Sequence, residues 1–224
     1  MKIDILTLFP EMFEPLKASL IGRAIKNNLL EINIINIRDF SLNKHKKVDD
    51  YPFSGGDGMV LTPQPLYDAI MSVKVKNSIV IYLSPKGQPL KQQKVKQLAE
   101  QSHLILVCGH YEGIDERIIT LLIDEQISIG DFILTGGEIP ALALVDAVSR
   151  YIDGVLGNKN STEIESFSDN LLEYPQYTRP RVFKSLEVPE VLVSGNHSEI
   201  EKWKEKMRVE ETKKYRPDLL KQDK

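Results

Sequence analysis

Three apolar runs in this chain end in turns that few residue types can make, and each turn leads into a helical pattern. The first is Ile79 to Gly87, whose apolar residues give way to Ser84-Pro-Lys-Gly87 ahead of a Lys-rich helix. The second is Leu104 to Cys108, which exits through Gly109-His-Tyr-Glu-Gly113. The third runs from Gln126 to Pro140 and carries Gly130, Gly136 and Gly137 between strand and helix. Glycines there allow backbone geometries and close approaches that a Cβ forbids, and the unpaired N–H groups of the next helix point outward. Strands of a parallel sheet with helical crossovers all finish at one edge, which is where α/β proteins bind ligands. The pattern therefore predicts an α/β fold, a parallel sheet flanked by helices, with three loops forming one pocket.

The 224 residues suffice for one large domain and a small one. Hydrophobic residues at 42% and charged residues at 27% are ordinary for a globular protein. The acid-containing start Met1-Lys-Ile-Asp4 lacks the form of a signal peptide, and no run is long enough to span a bilayer, so the expected location is the cytoplasm with no membrane contact. One cysteine, Cys108, leaves no internal disulfide or multi-cysteine zinc site, and its place at a strand end predicts a buried structural thiol. The net charge of −3 gives no global attraction to nucleic acid, so any RNA surface must be local. Basic clusters occur at Arg38 with Lys44 to Lys47, at Lys86 to Lys96, and from Lys202 to Arg216, the last interleaved with Glu199, Glu201, Glu205, Glu210 and Glu211 as on a solvated helix face.

Lys2 to Leu8 reads as a first strand ended by Phe9-Pro10, and the absence of a Gly-rich turn there argues against a dinucleotide fold. A helix over about Ser19 to Asn28 and a strand over Ile32 to Ile37 follow. Asp39 to Gly58 reads as a long polar loop, a length uncommon without a functional role. A helix from Pro63 to about Val73 leads back to the first of the three strands. After the central glycines comes a helix too apolar to be exposed on most of its surface, with Asp146 and Arg150 one turn apart. The composition turns polar beyond Gly157, which predicts a domain over 1–157, a flexible linker over 158–174 and a small helical domain over 175–224. In that last part Asn196-His-Ser-Glu199 has the form of a capping box, and Trp203 follows as a core anchor.

The strings Leu83 to Gly87, Cys108 to Arg117, Ser128 to Glu138 and Tyr177 to Pro180 resemble those of the bacterial tRNA (guanine-N1)-methyltransferase family of the SPOUT superfamily. The resemblance extends from Asp4 to Leu220. It implies a trefoil-knotted SPOUT domain followed by the helical domain as a tRNA-binding module. It also implies S-adenosyl-L-methionine as cofactor, tRNA as substrate and methylation at N1 of guanine 37, 3′ of the anticodon. Carried over residue by residue, it makes Ser84, Pro85, Gly109, Tyr111, Glu112, Gly113, Ile129, Gly130, Asp131, Phe132, Ile133, Leu134 and Gly136 cofactor-binding. Gly55 and Gly56 would approach the guanine, and Asp169 and Arg150 would be catalytic, with Asp169 completing the site of the partner in a homodimer. The family has been linked to Mg2+, for which no carboxylate cluster here specifies a site. Ser54, Asp57, His110 and Asn170 depart from the family's usual residues.

The implied chemistry asks chiefly for alignment, because a sulfonium already activates the methyl group. Guanine N1 must lose its proton, which a carboxylate in hydrogen-bond reach accepts as general base while a guanidinium steadies charge moving toward O6. Two rivals share the fold: a SPOUT enzyme acting on another RNA site, and a catalytically silent RNA-binding module. A small-molecule enzyme with an α/β pocket is a third.

Overall fold

The computed structural model describes residues 1–157 and 165–220, so the first part of the predicted linker, 158–164, lies outside the described residues. The chain divides into two compact units, Met1–Lys159 and Asn160–Lys224.

The first unit is built on five parallel strands: β1 (Lys2–Thr7), β2 (Glu31–Asn36), β5 (Ser78–Pro89), β6 (His103–Cys108) and β7 (Glu125–Ser128), in the order β2-β1-β6-β5-β7. Between them in sequence lie the two-residue strands β3 (Asp49–Asp50) and β4 (Val60–Leu61), which pair antiparallel with each other. The central strand β6 is buried along its whole length, as a strand covered on both faces must be. Its alternate residues enter two separate cores. Leu104, Leu106 and Cys108 join a cluster with Ile3 and Ile5 beneath α1 (Ser19–Lys26), α3 (Gln92–Ala99) and α5 (Glu138–Ser149). Ile105 and Val107 face the other way, toward α2 (Pro63–Val73) and α4 (Glu116–Leu122). The apolar reading of α5 holds, since Ala141, Leu144, Val145 and Val148 are all buried. Each such leucine or valine contributes about 1.5–3 kcal/mol by leaving water.

Two expectations need correction. Ser84 to Gly87 was expected to end its strand, yet β5 continues to Pro89. Leu83 and Gln88 both pair with Ile127, so the four residues between them form an excursion from which the strand returns to β7. Leu90 N–H then bonds Ser128 O at 2.8 Å. Gly87 permits the return, because a Cβ there would lie 2.4 Å from Ile127 N. The loop over 39–58 is likewise less free than its composition suggests. Ile37–Phe40 is a 3₁₀ turn and Thr62 N–H bonds Val48 O at 2.8 Å, which together with the β3–β4 pair ties the loop down near both ends.

The opposite edge of the sheet holds a buried polar chain. Asp4, with no exposed surface, meets His103 Nε2 at 2.8 Å and accepts from Asn33 Nδ2 at 2.8 Å. His103 Nδ1 meets Ser78 Oγ at 2.8 Å, and that hydroxyl oxygen also accepts from Val75 N–H. The chain links four strands, β2, β1, β6 and β5, through one buried polar network.

In the second unit the long helix α7 (His197–Tyr215) is capped as its sequence predicts, with Asn196 Oδ1 accepting from Glu199 N–H. It is preceded by a hairpin of β8 (Val182–Phe183) and β9 (Leu186–Glu187) and by the single turn α6 (Glu190–Val193). Trp203 packs its ring against Tyr174 and Tyr177, each 6.3 Å between centroids, as an anchor would. The solvated reading of the last basic cluster fails at one residue, Arg208, which is buried with Thr212 on α7. Sequence spacing conceals this because the partner that admits the guanidinium, Asp169, lies 39 residues away.

Removing His103 takes a buried partner from both Asp4 and Ser78, leaving Asp4 with Asn33 and Lys2 and Ser78 with Val75 N–H. His103→Ala is expected to lower the unfolding free energy by about 3 kcal/mol, read from urea denaturation at neutral pH.

Candidate active site

The excursion within β5 and the exit loops of β6 and β7 come together around a cavity of about 270 Å³. That is near the lower end of the range for small-molecule sites, about 300–1,000 Å³. Of the sequence-derived cofactor contacts, all but Asp131 line it: Ser84 and Pro85 from the first loop, Gly109, Tyr111, Glu112 and Gly113 from the second, and Ile129, Gly130, Phe132, Ile133, Leu134 and Gly136 from the third. Asp131 is exposed and outside the lining.

A backbone seam joins the second loop to the third. Gly137 N–H donates to Gly109 O at 2.9 Å, and His110 bridges antiparallel to Gly136. A Cβ on Gly137 would lie 2.7 Å from Cys108 Cα, so the start of α5 touches the end of β6 backbone to backbone. Beside the seam, Glu138 is buried and accepts from Thr7 Oγ1 at 2.8 Å, which holds the first turn of α5 against β1. His110 packs its ring against Phe9 and Tyr111 at 4.9 and 5.3 Å between centroids. The buried thiol of Cys108 is confirmed, and burial pushes it well above the ordinary cysteine range, which keeps it neutral and unreactive.

Sequence reasoning missed several lining residues, among them Tyr82, Lys86, Thr135 and Pro140. Tyr82 is hidden in an apolar strand, and no signal of spacing marks it. Burial raises its phenol above the ordinary range, with Ser84 and Ile114 as hydrogen-bond neighbours, so it stays protonated at neutral pH.

The glycine loop is stitched to this cavity. Glu112 N–H donates to Met59 O at 3.0 Å, and the Glu112 side chain lies against Gly58, where a Cβ would be 2.7 Å from it. Gly55 and Gly56 stand at φ +73° and +99° with nothing within 4 Å of either Cβ direction, so their backbone faces open space. Neither proposed catalytic residue lines the cavity. Arg150 is the half-buried C-cap of α5. Asp169 belongs to the second unit and pairs with Arg208 there. Asn170 has φ +65°, a left-handed conformation in which asparagine is enriched over most other side chains. Among the described residues no group of three or more His, Cys, Asp or Glu could hold a metal, and no helix is long and apolar enough to cross a membrane.

Residues 1–222 match the family profile described as tRNA (Guanine-1)-methyltransferase TrmD. The chain is 55% identical to a tRNA (guanine-N(1)-)-methyltransferase of Clostridioides difficile, over 99% of this chain and 98% of the relative. Proteins of the same description from Caldanaerobacter subterraneus and Ruminiclostridium cellulolyticum are 58% and 56% identical, over 99% and 98% of this chain and 92% and 96% of theirs.

Gly137→Ala forces the seam apart. It is expected to lower the melting temperature by about 2–10 °C and to let a thiol reagent reach Cys108 in the folded protein, which wild type resists until it unfolds.

Proposed function

The chain belongs to the TrmD family of tRNA (guanine-1)-methyltransferases, and from that premise we propose that it transfers a methyl group from S-adenosylmethionine to N1 of guanine 37 of tRNA. The observation that carries the reading is that three loops from separate stretches of sequence bring twelve of the expected cofactor residues around one cavity. Those residues suit the cofactor, because loop backbone offers hydrogen bonds in a fixed frame beside the apolar Phe132, Ile133 and Leu134. When bound, S-adenosylmethionine supplies a methyl group on a sulfonium that leaves as a neutral thioether.

The protein's own residues then have three tasks. Loop backbone around Gly109 to Gly113 and Ile129 to Gly136 fixes the methyl donor's position. Gly55 and Gly56, without side chains and facing open space, let the guanine approach the backbone of the loop tied to Glu112. Asp169 of the partner subunit would take the N1 proton, and Arg150 would balance the charge that moves onto O6.

The described residues hold no carboxylate cluster fit for magnesium, and no step here uses it.

The reading includes a trefoil knot and a cytoplasmic homodimer, with a methyltransferase domain over 1–157 and a tRNA-binding domain over 175–224 joined by the linker 158–174. The dimer draws support from Phe132, Ile133 and Ile139, large apolar residues exposed beside the cavity.

Labelled methyl transfer to a tRNA transcript with guanine at 36 and 37 tests the proposal. Label is expected at N1 of guanine 37. Arg150→Ala and Asp169→Ala should each reduce kcat by about 10²-fold or more with cofactor binding retained. Unchanged activity in Asp169→Ala would remove Asp169 from the role of base. Label on a different nucleotide would identify another RNA target, and no cofactor binding at all would overturn the reading.

A further inference from the structure

Residues 165–173 form a compact loop held by its own hydrogen bonds. Phe167 N–H donates to Leu171 O at 2.8 Å, Ser168 N–H to Glu165 O at 3.1 Å, and Glu173 N–H to Ser166 Oγ at 3.0 Å. The loop is not in its easiest conformation. Phe167 stands at φ +75°, a region unfavourable for a bulky side chain, so contacts outside the loop must hold it there.

Those contacts come from one stripe of α7. Arg208, Thr212 and the C-cap residue Arg216 are spaced four apart and so share a face of the helix. Arg208 Nη2 donates to Asp169 Oδ1. Thr212 Oγ1 accepts from Leu172 N–H at 2.8 Å and donates to Arg208 O at 2.7 Å. The Arg216 guanidinium lies 5.5 Å from the Phe167 ring centroid. Arg208 is 7% exposed at its side chain and also pairs with Glu205. Burial works against its charge, but the hydrogen bonds to Asp169 and Glu205 outweigh that and raise its pKa above the ordinary arginine value. Among the described residues its Nε–H is buried without a hydrogen-bond partner, while the two terminal guanidinium nitrogens are bound.

We propose that Arg208 is a positioning residue for methyl transfer, fastening the carboxylate-bearing loop 165–173 to α7 through Asp169, with Thr212 and Arg216 as the supporting contacts. The role rests on the proposed function, in which Asp169 is the base and moves with its loop. A loop released from α7 reaches the guanine in many orientations, and the loss falls on the chemical step more than on binding.

The test uses the full-length protein and two readouts. In steady-state methyl transfer to the tRNA transcript, Arg208→Met keeps the buried stem and removes the charge. It is expected to lower kcat about 10- to 100-fold, the factor typical of a lost charge-assisted hydrogen bond, with KM for tRNA within about threefold of wild type. Arg208→Lys should recover much of that loss. In amide hydrogen exchange, Leu172 and Phe167 should exchange about 10- to 100-fold faster in Arg208→Met and in Asp169→Asn, and no faster still in the double variant. Unchanged kcat and unchanged exchange in Arg208→Met would overturn the proposal, as would exchange effects that multiply in the double variant. A rise in KM alone would also overturn it, by placing Arg208 in RNA binding. If wild type methylates no tRNA, the functional reading fails, while the exchange measurement still decides whether Arg208 fastens the loop.

Discussion

The cavity of the first unit depends on a place where two stretches of backbone touch with no side chain between them. Gly137 rests against Cys108 and Gly109, and its N–H closes on a carbonyl at the end of the central strand. Because of that contact the loops after β6 and β7 behave as one wall. The contact also sets where α5 begins, and Glu138 can reach Thr7 only because the helix starts there. A wall fixed before a ligand arrives does not have to be ordered by it, which leaves more of the contact energy for binding.

The two units are held together by different means. The first has two apolar cores, one on each face of a parallel sheet. In the second, the buried residues among those described are Arg208 and Thr212, an ionic and a hydroxyl side chain. Apolar contacts tolerate small shifts, whereas a guanidinium requires a particular partner at a particular angle. The second unit thus has specific geometry with little apolar burial behind it.

Much of the first unit was legible because its signals are local. Apolar runs, glycine turns and the Pro63 helix start each report their own conformation, and the three cavity loops follow from them. The excursion at Ser84 to Gly87 was misread for the same reason: proline and glycine signal a turn, and nothing nearby reveals that β7 receives the strand again at Gln88. Tyr82 and Arg208 were missed because their surroundings come from distant chain. A tyrosine in an apolar strand and an arginine among glutamates look ordinary until Ser84 and Ile114, or Asp169, are brought beside them.

The sheet order has a consequence for synthesis on the ribosome. Lys2 pairs with both Glu31 and His103, so the first strand made lies between a neighbour that follows soon and one that emerges a hundred residues later. No hairpin joins any two strands of the large sheet, and one edge of β1 stays unpaired until β6 is translated. Until then its apolar residues and open amides are exposed to other nascent chains. A fold that places its ligand loops so well at one edge leaves its earliest strand waiting longest for a partner.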